Sequence, residues 1–172
     1  MIQSLLLDLD DTLLGNEVDT FMQGYFGLLS DYASKLFDSS TFMPNLLQAT
    51  RAMIQDTNPA LTNDQVFWQS FEKLVDGKRD ELEPFFHTFY EEEFGRLRPA
   101  TQQRPAAATI VRAARQQGLS VVIATNPLFP RAAIEQRLEW AGSPIDDHDF
   151  ALVTSYENMH AAKPQPAYYR EI

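Results

Sequence analysis

Two acids one residue apart, Asp8 and Asp10, follow directly on the apolar run Leu5-Leu6-Leu7. Bringing charge to the end of an apolar strand is costly unless something there uses it. Open α/β sheets bind ligands beyond the carboxyl ends of their strands, so acids delivered there face a metal, a phosphate or a reaction. Residues two apart in an extended segment point to the same side, so the pair can act on one object. The plainer alternative is a pair of strand-end or turn acids, with Asp11-Thr12 capping a short helical turn. Two more segments have the same form. Leu119 to Ala124 is a β-branched apolar run that delivers Thr125-Asn126-Pro127, and Phe150 to Val153 is a third short run with Lys163-Pro164 beyond it. Taken singly, Thr125-Asn126-Pro127 reads as a turn and Lys163 as a surface lysine.

The elements that would position these residues are legible from periodicity. Met1 to Leu7 reads as a fully buried strand, a continuous apolar run bounded by acids and Gly15. From about Val18 to Gly95 the period is helical. Val18, Phe21, Met22, Tyr25, Leu28, Leu29, Tyr32 and Leu36 share one face. Pro44 stands as a first-turn proline ahead of Leu46, Leu47, Met53 and Ile54. Thr62-Asn63-Asp64-Gln65 has capping-box spacing ahead of Phe67, Phe71 and Leu74. A fourth helix carries Leu82, Phe85, Phe86, Phe89 and Tyr90, with Gly95 placed to end it. After Arg98-Pro99 helix and strand alternate. Pro105 opens a helix with Ala107, Ile110, Val111 and Ala114 inward and Gly118 closing it, and Ile134 and Leu138 face inward on the next. Strands alternating with helices imply right-handed crossovers and a parallel sheet.

Composition narrows the function. The 172 residues suit one domain, or a core with a sizeable insertion. A net charge of −10 argues against nucleic acid as a partner, since phosphate-backbone binding needs basic patches. No run approaches the roughly 18 apolar residues of a membrane span, and the N-terminal run is too short and acidic for a signal peptide. The absence of cysteine excludes disulfides and thiolate metal sites and fits the cytoplasm. His87, His148 and His160 lack ligand spacing, and Glu91-Glu92-Glu93 reads as a solvated helix face. The aromatic stripe from Phe85 to Tyr90 reads as core of the helical block, part of it at a substrate entrance as the alternative.

Asp8-x-Asp10-x-Thr12 after one strand, Thr125 after a second and Lys163-Pro164 after a third resemble the first three motifs of the haloacid dehalogenase superfamily, in order. The helical insertion after the first motif is similar to the cap of phosphoglycolate phosphatase-like and β-phosphoglucomutase-like members. The resemblance implies a Rossmannoid α/β core of parallel strands, residues 1–14 and 99–172, with an α-helical cap at 15–98. It implies that Asp8 is the nucleophile forming an aspartyl-phosphate and that Asp10 is the general acid and base. It also implies that Thr125 and Asn126 bind the substrate phosphate and that Lys163 supplies a fixed positive charge. Mg2+ would be the cofactor, held by the Asp8 carboxylate and the Asp10 carbonyl. Hinges are expected near Gly15 and Arg98-Pro99, and the cap cations available to a substrate are Lys35, Arg51, Lys73, Lys78 and Arg79.

The sequence departs from the family at its end. A fourth motif, an acidic pair on a further strand, completes the magnesium site in family members, whereas nine residues follow Lys163 here. The expectation is a fragment of a longer enzyme, with weakened magnesium affinity and low activity. Glu157 is the best-placed surrogate ligand, because Asp146, Asp147 and Asp149 precede the third strand and belong at its far end. The strand at Ile2 to Leu7 would then be an exposed edge able to self-associate. The function expected is hydrolysis of a small phosphorylated metabolite. A dehalogenase or phosphomutase of the same fold and a non-catalytic binding protein are the alternatives. Asp10 separates the first of these, since dehalogenases of the family lack that second acid.

Overall fold

The computed structural model describes residues 2–172. Strand β1, Ser4–Leu7, opens the chain, and a turn over Asp8–Leu13 leads to β2, Leu14–Asn16. Four helices follow: α1, Val18–Ala33; α2, Ser39–Gln55; α3, Asn63–Phe71; and α4, Arg79–Glu92. A 3-10 helix, Phe94–Ala100, returns the chain to β3, Thr101–Gln103, which pairs antiparallel with β2. Then come α5, Pro105–Gln116; β4, Ser120–Ile123; α6, Arg131–Trp140; β5, Leu152–Val153; and α7, Pro166–Glu171. The main sheet is parallel in the order β1-β4-β5, with Ser4 opposite Ser120 and Ile123 opposite Val153. The two crossings into and out of the helices lie side by side in β2 and β3, where Gly15 faces Gln102.

The α/β class with a parallel sheet is as the sequence reading expects, and several local readings are corrected. Met1 lies outside the described residues. β1 is an edge strand, in line with the expected exposed edge and unlike the fully buried strand that its apolar run alone suggests: Leu6 is 46% exposed and Ile2 77%. Its apolar run has β4 on one side and no neighbour on the other among the described residues. Pro44 lies inside α2, which starts earlier because the Asp38 carboxylate accepts from the Ser40 N–H at 2.8 Å. Capping by Asp38 thus outweighs the first-turn preference of proline. Gly95 sits within the 3-10 helix and does not terminate α4. Val18, Leu36 and Ile110 are exposed, at the fringes of faces whose centres are buried. The capping-box spacing at Thr62 holds, with Gln65 Oε1 accepting from the Thr62 N–H at 3.1 Å.

One continuous core runs from the helical block into the sheet. Its centre is aromatic. Phe71 stacks on Phe67 at 5.4 Å and meets Phe42 edge-on at 6.3 Å, and Phe94 stacks on Trp140 of α6 at 5.5 Å. Such pairs prefer offset or edge-to-face geometry because of the ring quadrupole. The block is tied to the loops after the sheet by hydrogen bonds as well. The Asn63 N–H donates to the Met159 carbonyl at 2.7 Å and the Asp64 N–H to that of Tyr156 at 2.9 Å. The first N–H groups of a helix have no partner within it, and α3 satisfies two of them on these loops. The fully buried Phe71 gives the test of this core. Phe71→Ala is expected to lower stability by about 3–5 kcal/mol in urea unfolding, as a large core truncation does.

Candidate active site

The site is assembled from three loops at the carboxyl ends of β1, β4 and β5. Asp8 is the first residue past β1, Thr125 and Asn126 lie just past β4, and Lys163 lies in the loop between β5 and α7. Lys163 Nζ stands 3.3 Å from Asp8 Oδ1. The Asn126 side-chain oxygen accepts the Lys163 backbone N–H at 3.1 Å, which fastens the lysine loop to the end of β4. Asp8 is half-exposed, and its side chain accepts a hydrogen bond from the Leu9 N–H at 2.9 Å. It is therefore open to a ligand from solvent, with a cation 3.3 Å from one of its oxygens.

Thr125 is buried, and its carbonyl is the hub of the second loop. It accepts from the Thr154 hydroxyl at 2.7 Å and from the Tyr168 hydroxyl at 2.9 Å. Burial pushes the Tyr168 phenol up to about 12, so it remains protonated and able to donate. Residues of β5's end and of α7 thus hold the β4 loop in place. Lys163 joins the same group, its ammonium 5.7 Å from the Tyr168 ring centre.

Asp10 is brought to the same end of the sheet but is held differently. Asn16 Nδ2 donates to its Oδ1 at 3.2 Å, and Arg137 Nη1 donates to its Oδ2 at 2.6 Å. No hydrogen bond joins Asp10 to Asp8 among the described residues. Asn16 also accepts the Asp11 N–H at 2.9 Å, pinning a residue whose φ of 51° lies in the left-handed region. Aspartate tolerates that region better than most residues, since its short side chain bonds locally. Arg104, just past β3, closes the turn from outside through the Asp11 carboxylate.

Arg137 is the site residue that sequence reasoning missed. It sits in α6 with 1% of its side chain exposed, its Nε donating to the Ala133 carbonyl at 3.2 Å. Its guanidinium lies 4.5 Å from the Phe129 ring centre and 6.0 Å from that of Phe21. A cation over an aromatic face is attracted by the ring quadrupole, and more strongly when dry. The helical pattern of Ile134 and Leu138 carries a signal that could have found it: Arg137 lies between them on the inward side of α6. Asn63 was also missed. It is buried, with Nδ2 donating to the Pro127 carbonyl at 3.3 Å, and its sequence context speaks only of a helix cap.

Two candidates are removed by their partners. Glu157 accepts from the Arg131 N–H at 2.8 and 3.1 Å, so it caps the start of α6. Arg79 is paired with Asp64 at 2.7 Å and Glu83 at 2.8 Å and so braces α3 against α4. Among the described residues no three acidic or histidine side chains converge as a metal cage. A hard divalent cation that keeps several waters and uses one or two carboxylates plus substrate phosphate still fits the half-exposed Asp8 carboxylate. The Asp10 carboxylate does not fit that role while Arg137 and Asn16 hold both of its oxygens.

A family model described as a haloacid dehalogenase-like hydrolase matches residues 2–172. No curated protein matches. Among solved structures, a predicted phosphoglycolate phosphatase from Haemophilus somnus 129PT is similar at 18% identity and a TM-score of 0.47, over 98% of this chain and 69% of that one. CbbY from Rhodobacter sphaeroides, a D10N mutant in complex with xylulose-(1,5)bisphosphate, is similar at 18% identity and a TM-score of 0.49, over 99% of this chain and 70% of that one. An L-2-haloacid dehalogenase is similar at 17% identity and a TM-score of 0.40, over 98% and 70%.

The two acids of the first loop are expected to differ in their effect on stability. Asp10→Ala strands a buried guanidinium and should cost about 3–5 kcal/mol, as removal of one partner of a buried pair does. Asp8→Ala leaves the more exposed Lys163 to water and should change stability by about 0.5 kcal/mol or less. Urea unfolding of the two variants beside the parent checks the contrast; equal losses would contradict it.

Proposed function

The chain belongs to the haloacid dehalogenase-like hydrolase family, and on that footing we propose that it hydrolyses a small phosphate monoester by way of a phosphoryl group carried on Asp8. The observation that carries the reading is the half-exposed Asp8 carboxylate with Lys163 Nζ 3.3 Å behind it. A carboxylate open on one side and neutralised on the other can approach an anionic phosphate, which it could not do unaided. An Asp8 oxygen forms the bond to phosphorus as the ester P–O bond breaks, and Asp10 gives the leaving oxygen its proton. Asp10 then takes a proton from water, whose oxygen displaces Asp8 and releases phosphate. Asp10 must exchange a hydrogen bond with Asn16 or Arg137 for one with substrate in each step. Thr125 and Asn126 line the loop that receives the phosphoryl oxygens, and Lys163 offsets their charge.

Magnesium, held by the Asp8 carboxylate and the Asp10 backbone carbonyl, would neutralise phosphoryl oxygens, with water and substrate phosphate as its remaining ligands. The helical block at residues 15–98 acts as a cap in this reading, with the β2–β3 pair as the hinge ladder on which it moves. No helix among the described residues is long and apolar enough to cross a membrane. The lack of cysteine supports a reducing compartment such as the cytoplasm.

One observation favours a second reading, a family member that binds a phosphorylated ligand without turnover. Both Asp10 oxygens are engaged, so the proton carrier is restrained. Assay with an aryl phosphate and magnesium separates the two. Turnover that falls on the order of 10^3-fold or more in Asp8→Asn supports the hydrolase. Inertness combined with a melting temperature raised by inorganic phosphate supports the binding protein.

The open edge of β1, with Ile2 and Leu6 exposed, is the surface through which we expect two copies to associate. Leu6→Lys should reduce the mass seen by light scattering at high concentration; an unchanged monomeric mass in the parent would dismiss the edge as an interface.

A further inference from the structure

Tyr168 of α7 is fully buried, in a small apolar cluster with Met159 and Ala161. A buried phenol needs a partner for its hydroxyl, so packing alone would be served better by phenylalanine. The partner is the Thr125 carbonyl, to which the Tyr168 hydroxyl donates at 2.9 Å. The Thr154 hydroxyl donates to the same oxygen at 2.7 Å, the shorter of its two contacts, the other being the Ile123 carbonyl at 3.2 Å. A carbonyl oxygen has two lone pairs, and here each has a donor. One donor would satisfy the oxygen; two fix its direction.

The Thr125 oxygen and the Asn126 amide hydrogen belong to one peptide unit, and Lys163-Pro164 is the only cis bond among the described residues. In a planar trans unit the C=O and N–H point in opposite directions. With the carbonyl held on two buried hydroxyls, the Asn126 N–H faces away from them, and no described residue accepts it. The Ala124 N–H donates to the Leu7 carbonyl at 2.7 Å, so this stretch runs beside the residue that precedes Asp8. The other part of the same side chain serves the third loop. Lys163 Nζ lies 5.7 Å from the Tyr168 ring centre and 3.3 Å from Asp8 Oδ1. An ammonium within about 6 Å of a ring face is attracted by its quadrupole. One side chain thus touches both the carbonyl that orients the second loop and the cation beside Asp8.

We infer that Tyr168 is a positioning residue for phosphate: through the Thr125 carbonyl its hydroxyl aims the Asn126 N–H, and its ring seats the Lys163 ammonium. The effect on phosphate rests on the site proposed above; the orientation of the peptide rests on the packing alone. A backbone N–H can be re-aimed only by turning its peptide, and a carbonyl left with the Thr154 hydroxyl alone is freer to turn. Hydrogen bonds to a charged acceptor are roughly twice as strong as neutral ones, so a misdirected N–H is felt in phosphate affinity.

The test compares three variants of the whole chain with the parent. Tyr168→Phe removes the hydroxyl and keeps the ring, and Tyr168→Leu removes both. Asn45→Ala removes a side-chain bond of the same length, 2.9 Å to the Leu74 carbonyl within the helical block, and is the control for a hydrogen bond lost elsewhere. Calorimetry with magnesium present gives the Kd for inorganic phosphate, and kcat/KM for an aryl phosphate is measured beside it. The expected result is a Kd raised about fivefold or more in Tyr168→Phe and further in Tyr168→Leu, with kcat/KM falling at least as far and Asn45→Ala matching the parent. If Tyr168→Leu does not fold, Tyr168→Phe and Asn45→Ala decide. Parent-like phosphate affinity in Tyr168→Phe, or an equal loss in Asn45→Ala, would reduce Tyr168 to a core residue and overturn the inference alone. Phosphate binding weakened as expected while no ester turns over would keep Tyr168 in this role and remove the phosphatase reading. A parent that neither binds phosphate nor turns over an ester would remove both.

Discussion

The buried guanidinium of Arg137 is the constraint on which the site depends. Removing a charge from water is expensive, and the expense is met only where partners are fixed in place. Arg137 has such partners on four pieces of chain. Asp10 on the first loop accepts from it, the Ala133 carbonyl accepts within α6, Phe129 after β4 lies under its face, and Phe21 of α1 flanks it. Displacing any one of these leaves a buried cation short of compensation. The first loop, the second loop and the helical block are thereby held in register by one side chain.

The contrast between the two acids follows from that constraint. Asp8 follows the strand end half-exposed to solvent, with the Lys163 ammonium 3.3 Å from its Oδ1. Asp10 faces inward to Asn16 and Arg137, so its carboxylate is oriented before any substrate arrives. Residues of identical type, two positions apart, come to stand in different surroundings because one faces water and the other faces a fixed cation.

The helical block is bonded to the loops of the site. The free N–H groups at the start of α3 reach the carbonyls of Met159 and Tyr156, and the Asn63 side chain reaches Pro127, beside Asn126. These loops also carry Lys163 and the Thr154 and Tyr168 hydroxyls that fix Thr125. Docking of α3 and order in the loops after β4 and β5 are therefore linked. The β2–β3 pair carries the chain into and out of the block as one short antiparallel ladder, separate from the main sheet.

Much of this molecule is legible in its residue order. The apolar runs ending in Asp8, Thr125 and the loop of Lys163 identify three strand ends of one parallel sheet, because apolar runs and the polar residues that punctuate them are local properties. The helical period from Val18 to Gly95 identifies the block for the same reason. Which side of each run is covered is not a local property. The apolar run of β1 by itself reads as a buried strand, and its place at the sheet edge, the other expectation above, is set by which neighbours are present and not by the strand's own residues. Pro44 reads as a helix start, but the carboxylate of Asp38 begins the helix earlier. Arg137 and Asp10 are 127 residues apart, and no spacing rule joins them; only the packing of α6 beneath the first loop brings cation to acid. Residue order thus sets where the strands end and which side chains stand there. Which of those side chains is open to solvent and which is held is settled by packing, because burial and long-range charge pairing belong to the folded chain as a whole.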